Sequence, residues 1–324
     1  MTTKLRNAAG ILLAAALLTQ PIAAERTGLL DLLRPKNPAE GEVWEEDFTP
    51  KRGRSAPRRD KRRASAERDD PRPGPDSSEP DRDVWPCAAS GTGSYSWYAV
   101  HQKDGTRPPA PAEIPSIGEH GGYYLGEDEP VVYLTFDAGY ENGNVERILD
   151  GLRAEGVPGA FFILENLVNR NPELVKRMAD EGHLVCNHTA RHKDMTTFTE
   201  AEFKEELGRM ETAYRTLTGQ EMARYYRPPE GRFTLDNLDW AKDLGYSTVL
   251  WSFAYADWDN EKQPDPEAAL EKILAGAHNG MVLLLHPTSE TNARILPGLI
   301  RALKDRGFRF GTLDELTGGG GIGA

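Results

Sequence analysis

Short apolar segments alternate with helix-forming segments between residues 131 and 316, and this alternation constrains the fold of the 324-residue chain more than any other feature. About seven segments have the β-branched and aromatic composition of buried strands, and amphipathic helical segments separate them. Parallel strands require crossovers of this kind. The sequence therefore predicts a single α/β domain, folded as a distorted parallel (β/α) barrel of about seven strands.

Individual elements carry their own signals. The run VVYLTF predicts a buried strand that stops at Asp137, where glycines and an Asn-Gly pair open a turn. The continuous apolar run MVLLLH at 281–286 is typical of a strand with both faces covered by helices. Thr199 followed by Glu202 has the spacing of a capping box, which predicts the start of a helix that runs to about Leu217.

The chain before this domain has a different character. Residues 1–24 have the basic start, the short apolar run and the small final residues of a secretory signal peptide, although an uncleaved anchor fits the same pattern. Residues 25–92 lack hydrophobic periodicity and are rich in Arg, Pro, Asp, Glu and Ser, which predicts a disordered basic and Pro-rich linker. We therefore expect a folded domain at 93–317 and a Gly-rich tail at 318–324.

Charge is distributed unevenly along the chain. The whole sequence has a formal net charge of -12, yet the basic segment 51–63, which begins with Lys51 and ends with Arg63, contains eight Lys and Arg residues and one Asp. Such a segment suits an anionic cell-wall polymer or lipid headgroups, although a solvated spacer without a partner is the commoner role.

The signal peptide predicts export. We therefore expect an extracellular protein, either in the cell wall or held to the membrane by its N-terminus, and nucleic acid is not expected as a partner. We also expect a monomer.

Polar side chains follow the C-terminal ends of several predicted strands. The set consists of Asp137, His188, His192, Arg227, Asp257 and His286. Because strand ends converge on one face of a parallel barrel, residues that are far apart in sequence are predicted to share one pocket. Each residue alone has a simpler role, such as Asp137 capping the helix that follows it. Six of them at strand ends favour a functional site.

His188 and His192 are four positions apart, which on a helical turn would place both imidazoles on one side. Neutral imidazoles so placed are good ligands for Zn²⁺ or another borderline divalent ion. The bare spacing is a weak signal, and a non-metal role is its default interpretation. Its position directly after an apolar strand, facing a carboxylate, favours a metal site.

Five ordered segments of the chain resemble the motifs of the polysaccharide deacetylases, carbohydrate esterase family 4, also described as the NodB-like domain. They are TFDAG at 135–139, HTARH at 188–192, RPPEG at 227–231, ADW at 256–258 and LLLH at 283–286. The resemblance extends over roughly 131–316. The longer string TFDAGYENG, with GYYLG before it and RPPEG after it, is most similar to the delta-lactam-biosynthetic de-N-acetylases that act on muramic acid.

The resemblance implies a metal-assisted hydrolysis of N-acetyl groups by the domain at 93–317. His188 and His192 would bind the metal. Asp137 would deprotonate the attacking water, with Arg227 holding its carboxylate in place.

The resemblance also implies the acid and the substrate contacts. His286 would protonate the departing amine, and Asp257 would favour the charged form of its imidazole. The oxyanion would be met by the metal and by the backbone N–H of Glu230. Trp258 and the neighbourhood of Leu285 would form the wall of the acetyl pocket. The residues implied to contact the substrate are Glu230, Trp258, Leu285 and Tyr140.

Two positions depart from the family pattern. The usual first motif is TFDDG, whose second Asp is the third metal ligand, and Ala138 occupies that position here. Two protein ligands remain, with Glu141 as a remote substitute, so we expect weaker metal binding than in the ordinary family. Glu230 stands where Tyr is common, which changes the groove wall and leaves the backbone N–H available.

The leading hypothesis is an exported, metal-assisted de-N-acetylase of peptidoglycan amino sugars that prefers N-acetylmuramic acid, on the way to muramic delta-lactam. Deacetylation of N-acetylglucosamine polymers, or of acetyl esters on another glycan, is an alternative within enzymes. A non-catalytic cell-wall-binding barrel is an alternative of another class, because the third ligand is missing. Retention of a matched base and acid favours the enzyme, since a binding protein has no need of them.

Overall fold

The structure is a computed structural model, and it describes residues 93–318. The expected signal peptide or anchor, the linker with its basic segment, and the Gly-rich tail beyond Gly318 lie outside the described residues. Within 93–318, no helix has both the length and the apolar character needed to cross a membrane.

Strands and helices alternate along the described part of the chain. The strands are β1 (Ser94–Ser96), β2 (Gly122–Tyr123), β3 (Val131–Ala138), β4 (Ala160–Ile163), β5 (Leu184–Asn187), β6 (Ala223–Tyr226), β7 (Arg232–Thr234), β8 (Ser247–Val249), β9 (Met281–Leu285) and β10 (Arg309–Phe310). The helices are α1 (Asn144–Glu155), α2 (Glu165–Arg170), α3 (Pro172–Asp180), α4 (Glu200–Thr218), α5 (Leu235–Asp243), α6 (Pro266–Ala275), α7 (Glu290–Asp305) and α8 (Leu313–Leu316).

One curled parallel sheet organises the domain. Its strands follow the order β10-β3-β4-β5-β6-β8-β2, and β9 pairs with β3 as well. The segment after β8 reaches β9: the N–H groups of Ser252 and Phe253 donate to the carbonyl of Val282 at 3.0 and 3.2 Å, and the N–H of Leu284 donates to the carbonyl of Phe253 at 2.9 Å. These bonds nearly close the sheet on itself, and the predicted parallel (β/α) barrel is confirmed.

The strand β3 lies at the centre of this sheet, between β4 and β9. All of its positions are buried except Asp137, which is partly exposed at the C-terminal end. Along the pairing, Asp137 lies opposite Phe162 of β4, and Phe136 lies opposite Leu285 of β9. The register therefore presents the carboxylate of Asp137 at the end of a fully covered strand, as the sequence predicts.

The helices cover the sheet through apolar faces with helical spacing. In α1 the positions Val145, Ile148, Leu149 and Leu152 have no solvent exposure, because this face packs against α7 and the sheet. The predicted capping box at the start of α4 is confirmed: the N–H of Thr199 donates to the Glu202 carboxylate at 2.8 Å, and the N–H of Glu202 donates to the Thr199 hydroxyl at 3.4 Å. This box fixes where α4 begins.

An N-terminal strap, residues 93–124, lies against the barrel beside the strand ends. Its strand β1 pairs antiparallel with β7. Trp97 in the strap is almost completely buried. Its side-chain Nε1–H donates to the carbonyl of Trp251 at 2.8 Å, and its backbone N–H donates to the carbonyl of Gly231 at 2.9 Å. Burial of a Trp side chain with its N–H satisfied anchors the strap to the segments that follow β6 and β8.

Candidate active site

The polar residues predicted from the strand ends are gathered around one cleft of about 540 Å³ at the C-terminal ends of the strands. The predicted residues that line it are Asp137, Tyr140, His188, His192, Glu230, Trp258 and His286. Arg227 and Asp257 lie behind this lining and are almost fully buried. The convergence of strand ends thus brings together side chains that are far apart in the sequence.

Asp137 is held by a buried arginine beneath it. Nη1 of Arg227 donates to Oδ1 of Asp137 at 2.8 Å. The same guanidinium donates from Nε to the carbonyl of Val249 at 2.8 Å and from Nη2 to the hydroxyl of Thr135 at 2.9 Å. It also lies over the ring of Phe162, with 4.2 Å between its carbon and the ring centroid. The buried cation thus has both hydrogen-bond acceptors and a counter-ion, as burial of a charge requires.

The charge of Asp137 follows from this contact. Burial alone would raise the pKa of the Asp137 carboxyl, but the Arg227 guanidinium, with His188 and His286, outweighs burial and holds that pKa below its ordinary value. Asp137 is therefore ionised at neutral pH and able to accept a proton.

His188 presents one nitrogen of its ring to the cleft. Its Nδ1 lies 2.9 Å from the carbonyl oxygen of Arg227, and because a carbonyl only accepts, Nδ1 carries the proton. Nε2 keeps its lone pair and lies 3.6 Å from Oδ2 of Asp137. Burial, which Asp137 opposes, lowers the pKa of His188 to about 4, so the imidazole is neutral at neutral pH. A neutral imidazole fixed in this tautomer suits a metal ligand.

His192 reaches the same part of the cleft from an irregular loop. The ring centroids of His188 and His192 are 5.0 Å apart, with an interplanar angle of 69°. The predicted helical turn between them is wrong, because Thr189 and His192 have φ angles of 72° and 54°, in the left-handed region. The Thr189 hydroxyl accepts the N–H of His192 at 2.9 Å and stabilises this conformation. The two imidazoles are therefore brought together by loop hydrogen bonds.

Two imidazoles are the ligands that this part of the cleft offers to a metal. Within 93–318 there is no group of three His, Cys, Asp or Glu side chains placed to hold a metal ion. Ala138 has no solvent exposure and belongs to the apolar core. The carboxylate of Glu141 accepts a hydrogen bond from the N–H of Gly143 at the start of α1. The chemistry of the two histidines and the tautomer of His188 fit a divalent ion that takes its remaining ligands from water or substrate.

His286 follows β9 and faces the cleft with a carboxylate behind it. Its Nδ1 lies 2.7 Å from Oδ1 of Asp257, and its backbone N–H donates to Oδ2 at 2.8 Å. Nδ2 of Asn292 donates to the same Oδ2 at 2.6 Å. Burial would lower the pKa of His286, but the charge and hydrogen bond of Asp257, together with Asp137, raise it above its ordinary value. His286 is therefore suited to hold and deliver a proton.

The walls of the cleft are mainly apolar and aromatic. Tyr140 and Trp258 are 44% and 39% exposed, which is unusual for large hydrophobic side chains, and Trp258 meets His286 edge to face at 6.3 Å. Aromatic faces left open beside a polar cleft suit a ring-shaped ligand. Glu230 also lines the cleft, with a positive φ of 55°.

One predicted wall residue is displaced by one position. Leu285 has no solvent exposure and packs in the core beneath the helices, whereas Leu284 lines the cleft. Successive residues of a strand point to opposite faces, so the wall of the cleft is formed by Leu284 and the prediction for Leu285 is corrected.

Comparison with known proteins places this geometry in a family. Residues 125–249 match the family model described as polysaccharide deacetylase. Over 201 residues the chain is 40% identical to the peptidoglycan-N-acetylmuramic acid deacetylase PdaA of Bacillus subtilis. The matched region is 62% of this chain and 76% of PdaA. This chain belongs to the polysaccharide deacetylase family. The expected enzyme class, a hydrolase of non-peptide carbon–nitrogen bonds, is confirmed at the level of this family.

Further comparisons agree with the assignment of this chain to the polysaccharide deacetylase family. The solved structure of B. subtilis PdaA, described as a family 4 carbohydrate esterase, superposes with a TM-score of 0.67 and 37% identity, over 69% of this chain and 96% of that one. The peptidoglycan-N-acetylglucosamine deacetylase PgdA of Listeria monocytogenes is 33% identical over 187 residues, which is 58% of this chain and 39% of PgdA.

The polysaccharide deacetylase site also contains residues that the sequence did not reveal. Trp251 and Leu284 line the cleft, and Asn292 contacts the carboxylate behind His286. Trp251 follows the end of β8 by two positions, and a residue just past a strand end could have been read as a site signal. Asn292 lies within the first turn of α7, where an Asn reads only as a polar residue near a helix start.

Proposed function

We propose that this polysaccharide deacetylase is an exported, metal-assisted de-N-acetylase of peptidoglycan amino sugars, acting on N-acetylmuramic acid on the way to muramic delta-lactam. The observation that carries the proposal is the pairing, within one cleft, of an ionised carboxylate at Asp137 with an imidazole at His286 that favours its protonated form. Amide hydrolysis needs such a base for the attacking water and such an acid for the amine that leaves.

The residues of the cleft divide the chemistry between them. A divalent ion held by His188 and His192 would, when bound, polarise the acetyl carbonyl and favour ionisation of water. Asp137 takes the proton of the attacking water on Oδ2, because its Oδ1 is held by Arg227. The backbone N–H of Glu230 supplies a donor to the oxyanion.

The proton for the leaving amine comes from His286. Since Nδ1 of this ring is bound to Asp257, Nε2 is the nitrogen that delivers the proton. Transfer to the amine breaks the carbon–nitrogen bond and leaves acetate and a free amino sugar. Asp257 keeps the imidazolium stable until that step.

The substrate side of the proposal is a pyranose ring in an aromatic cleft. Tyr140 and Trp258 offer exposed faces against which a sugar ring packs. Trp251 and Leu284 offer apolar surface to the acetyl methyl group. The preference for N-acetylmuramic acid is supported by the likeness to PdaA, and the similarity to PgdA makes N-acetylglucosamine in peptidoglycan a second candidate.

Location and wall contact are proposed from the sequence. The signal-like residues 1–24 support export, and the basic segment 51–63 supports contact with an anionic cell-wall polymer or lipid headgroups. Both features support a location where peptidoglycan strands are accessible.

The proposal is tested by acetate release from purified glycan strands, with and without stem peptides, across a series of added divalent metals. We expect release that depends on metal, with the product mass placing the free amine on muramic acid. Release from N-acetylglucosamine alone would favour the second candidate. No acetate from peptidoglycan, stripped strands or chitooligosaccharides, with Asp137→Asn and His286→Ala behaving like the native chain, would overturn the enzyme.

The non-catalytic alternative makes a different prediction. A pull-down on cell wall, in which His188→Ala binds as the native chain does but releases no acetate, supports the enzyme. Equal wall binding and no release by the native chain itself would support a binding barrel.

A further inference from the structure

A fully buried carboxylate on α4 is bonded to the loop between the two imidazoles. Glu206 has no solvent exposure. Its Oε1 accepts the backbone N–H of Arg191 at 2.7 Å, and its Oε2 accepts Nε of the same arginine at 2.9 Å and also its Nη2. A buried charge with this set of donors fixes both the backbone and the side chain of one loop residue.

Arg191 directly precedes His192, in a loop whose backbone angles are unfavourable for residues other than glycine. Thr189 and His192 both have positive φ, which β-branched and bulky side chains rarely adopt. The conformation is held by a chain of hydrogen bonds: Oδ1 of Asn187 accepts the N–H of Thr189 at 2.9 Å, and the Thr189 hydroxyl accepts the N–H of His192 at 2.9 Å. The bond from Arg191 to Glu206 lies next to this chain and ties it to α4.

We infer that Glu206 is a positioning residue for metal binding, which holds the Arg191 backbone so that His192 keeps its imidazole turned toward His188. The inference rests on the proposed metal role of the two histidines. It follows from the local geometry, because the direction of the His192 ring depends on a strained backbone that Glu206 restrains from a rigid helix.

The absence of the usual third metal ligand, an Asp carboxylate, makes this restraint more important. With Ala138 in the core, the affinity of the site depends on two imidazoles being held at the right separation before the ion arrives. Loss of an outer-shell partner typically lowers metal affinity about 10- to 100-fold. A freely moving His192 would add the cost of ordering the loop to every binding event.

The experiment measures Zn²⁺ affinity of the metal-stripped full-length protein by competition with a chromophoric chelator. Glu206→Gln keeps the shape of the side chain, but its single amide oxygen cannot accept both the backbone N–H and the guanidinium N–H groups of Arg191, so one of these contacts is lost. We expect it to weaken Zn²⁺ binding about 10- to 100-fold. The matched control is Glu205→Gln, which removes the same charge one position earlier on the same helix from an exposed side chain, and it should bind Zn²⁺ like the native chain.

A second variant guards against a simple loss of folding. Glu206→Leu combined with Arg191→Ala removes both charges together with the acceptor of the residue-191 N–H, so no unpaired charge remains, and it should weaken Zn²⁺ binding at least as much as Glu206→Gln alone. Thermal unfolding of the metal-free proteins separates a structural role of Glu206 from a positioning role. If the role is purely structural, substitution of Glu206 lowers the unfolding temperature and leaves the Zn²⁺ affinity of the folded protein unchanged.

The outcomes distinguish this inference from the proposed function. Native-like Zn²⁺ affinity in both folded Glu206 variants overturns the positioning role while leaving metal-assisted deacetylation intact. Failure of the native chain itself to bind any added divalent metal overturns both. Weakened Zn²⁺ binding in both Glu206 variants, with native binding in Glu205→Gln, supports the positioning role.

Discussion

At the scale of single residues, the proposed base Asp137 and the proposed acid His286 both have neighbours of opposite charge. Arg227 is the main group that lowers the pKa of Asp137, and Asp257 is the main group that raises the pKa of His286. Arg227 and Asp257 are both buried, so water screens these contacts little. The opposite shifts give a base and an acid within one cleft at the same pH.

We therefore expect a bell-shaped dependence of kcat/KM on pH. On the acid side, activity falls as Asp137 gains a proton, below the ordinary value of 3.8 because its pKa is lowered. On the alkaline side, activity falls as His286 loses its proton, above the ordinary value of 6.5 because its pKa is raised. The rate of acetate release, followed from below pH 4 up to pH 9, measures both limbs.

Removal of the charge behind His286 gives the sharper form of this prediction. Asp257→Asn should move the alkaline limb to lower pH, since the group that raises the pKa of His286 is gone. Asp259→Asn, an exposed position in the same loop, should leave the limb in place. An alkaline limb that does not move in Asp257→Asn contradicts the role assigned to this carboxylate.

Arg227→Lys tests the buried guanidinium. Lysine cannot donate at once to the Asp137 carboxylate, the Val249 carbonyl and the Thr135 hydroxyl, so buried acceptors lose their partner. We expect a loss of about 3 kcal/mol in the free energy of unfolding, measured by urea titration. Arg209→Lys, in an exposed ion pair, should change it by less than about 0.5 kcal/mol.

At the scale of elements, those with local signals agree with the sequence. The capping box predicts the start of α4, and the run MVLLLH predicts β9, because both signals reside in neighbouring residues. The pairing of β1 with β7 is not predictable in this way, since it depends on contacts between segments over a hundred residues apart. The displacement of the wall from Leu285 to Leu284 has the same origin, because strand facing depends on register.

The capping box carries a measurable share of the stability of α4. Thr199→Ala removes the side-chain acceptor for the N–H of Glu202 and should lower the free energy of unfolding by about 1 kcal/mol in urea titration. Thr212→Ala is the matched control, because this exposed threonine lies inside the same helix and bonds only its preceding turn. Equal losses in the two variants would argue that the cap contributes nothing specific.

At the scale of the whole molecule, the site is predictable to the extent that barrel topology gathers strand ends. Asp137, His188, Arg227 and His286 were identified because each follows an apolar run. The sequence could not show which groups stand behind them: Asn292 and Thr135 reach the site only through the packing of α7 and of β3 against its neighbours. The loop geometry at His192 was also out of reach, because tertiary hydrogen bonds override its local preference.

The proposed metal dependence is tested on the cleft as a whole. We expect chelator to abolish acetate release and added Zn²⁺ or a similar divalent ion to restore it. The free metal concentration needed should be higher than for a site with a carboxylate as third metal ligand. The temperature of thermal unfolding should rise with added metal in the native chain and stay constant in His188→Ala, which lacks one ligand. Loss of activity in chelator that no divalent ion restores would count against metal catalysis.

The strap anchored by Trp97 determines how much polypeptide a transplanted or truncated version must contain. The family model begins at residue 125, yet Trp97 holds the backbone of Trp251, whose ring lines the cleft, and β1 pairs with β7 beside Glu230. A chain cut at the family boundary would expose the buried faces of these segments to water. The smallest autonomous unit is therefore longer than the shared motifs, and any chimaera of this barrel must carry its strap with it.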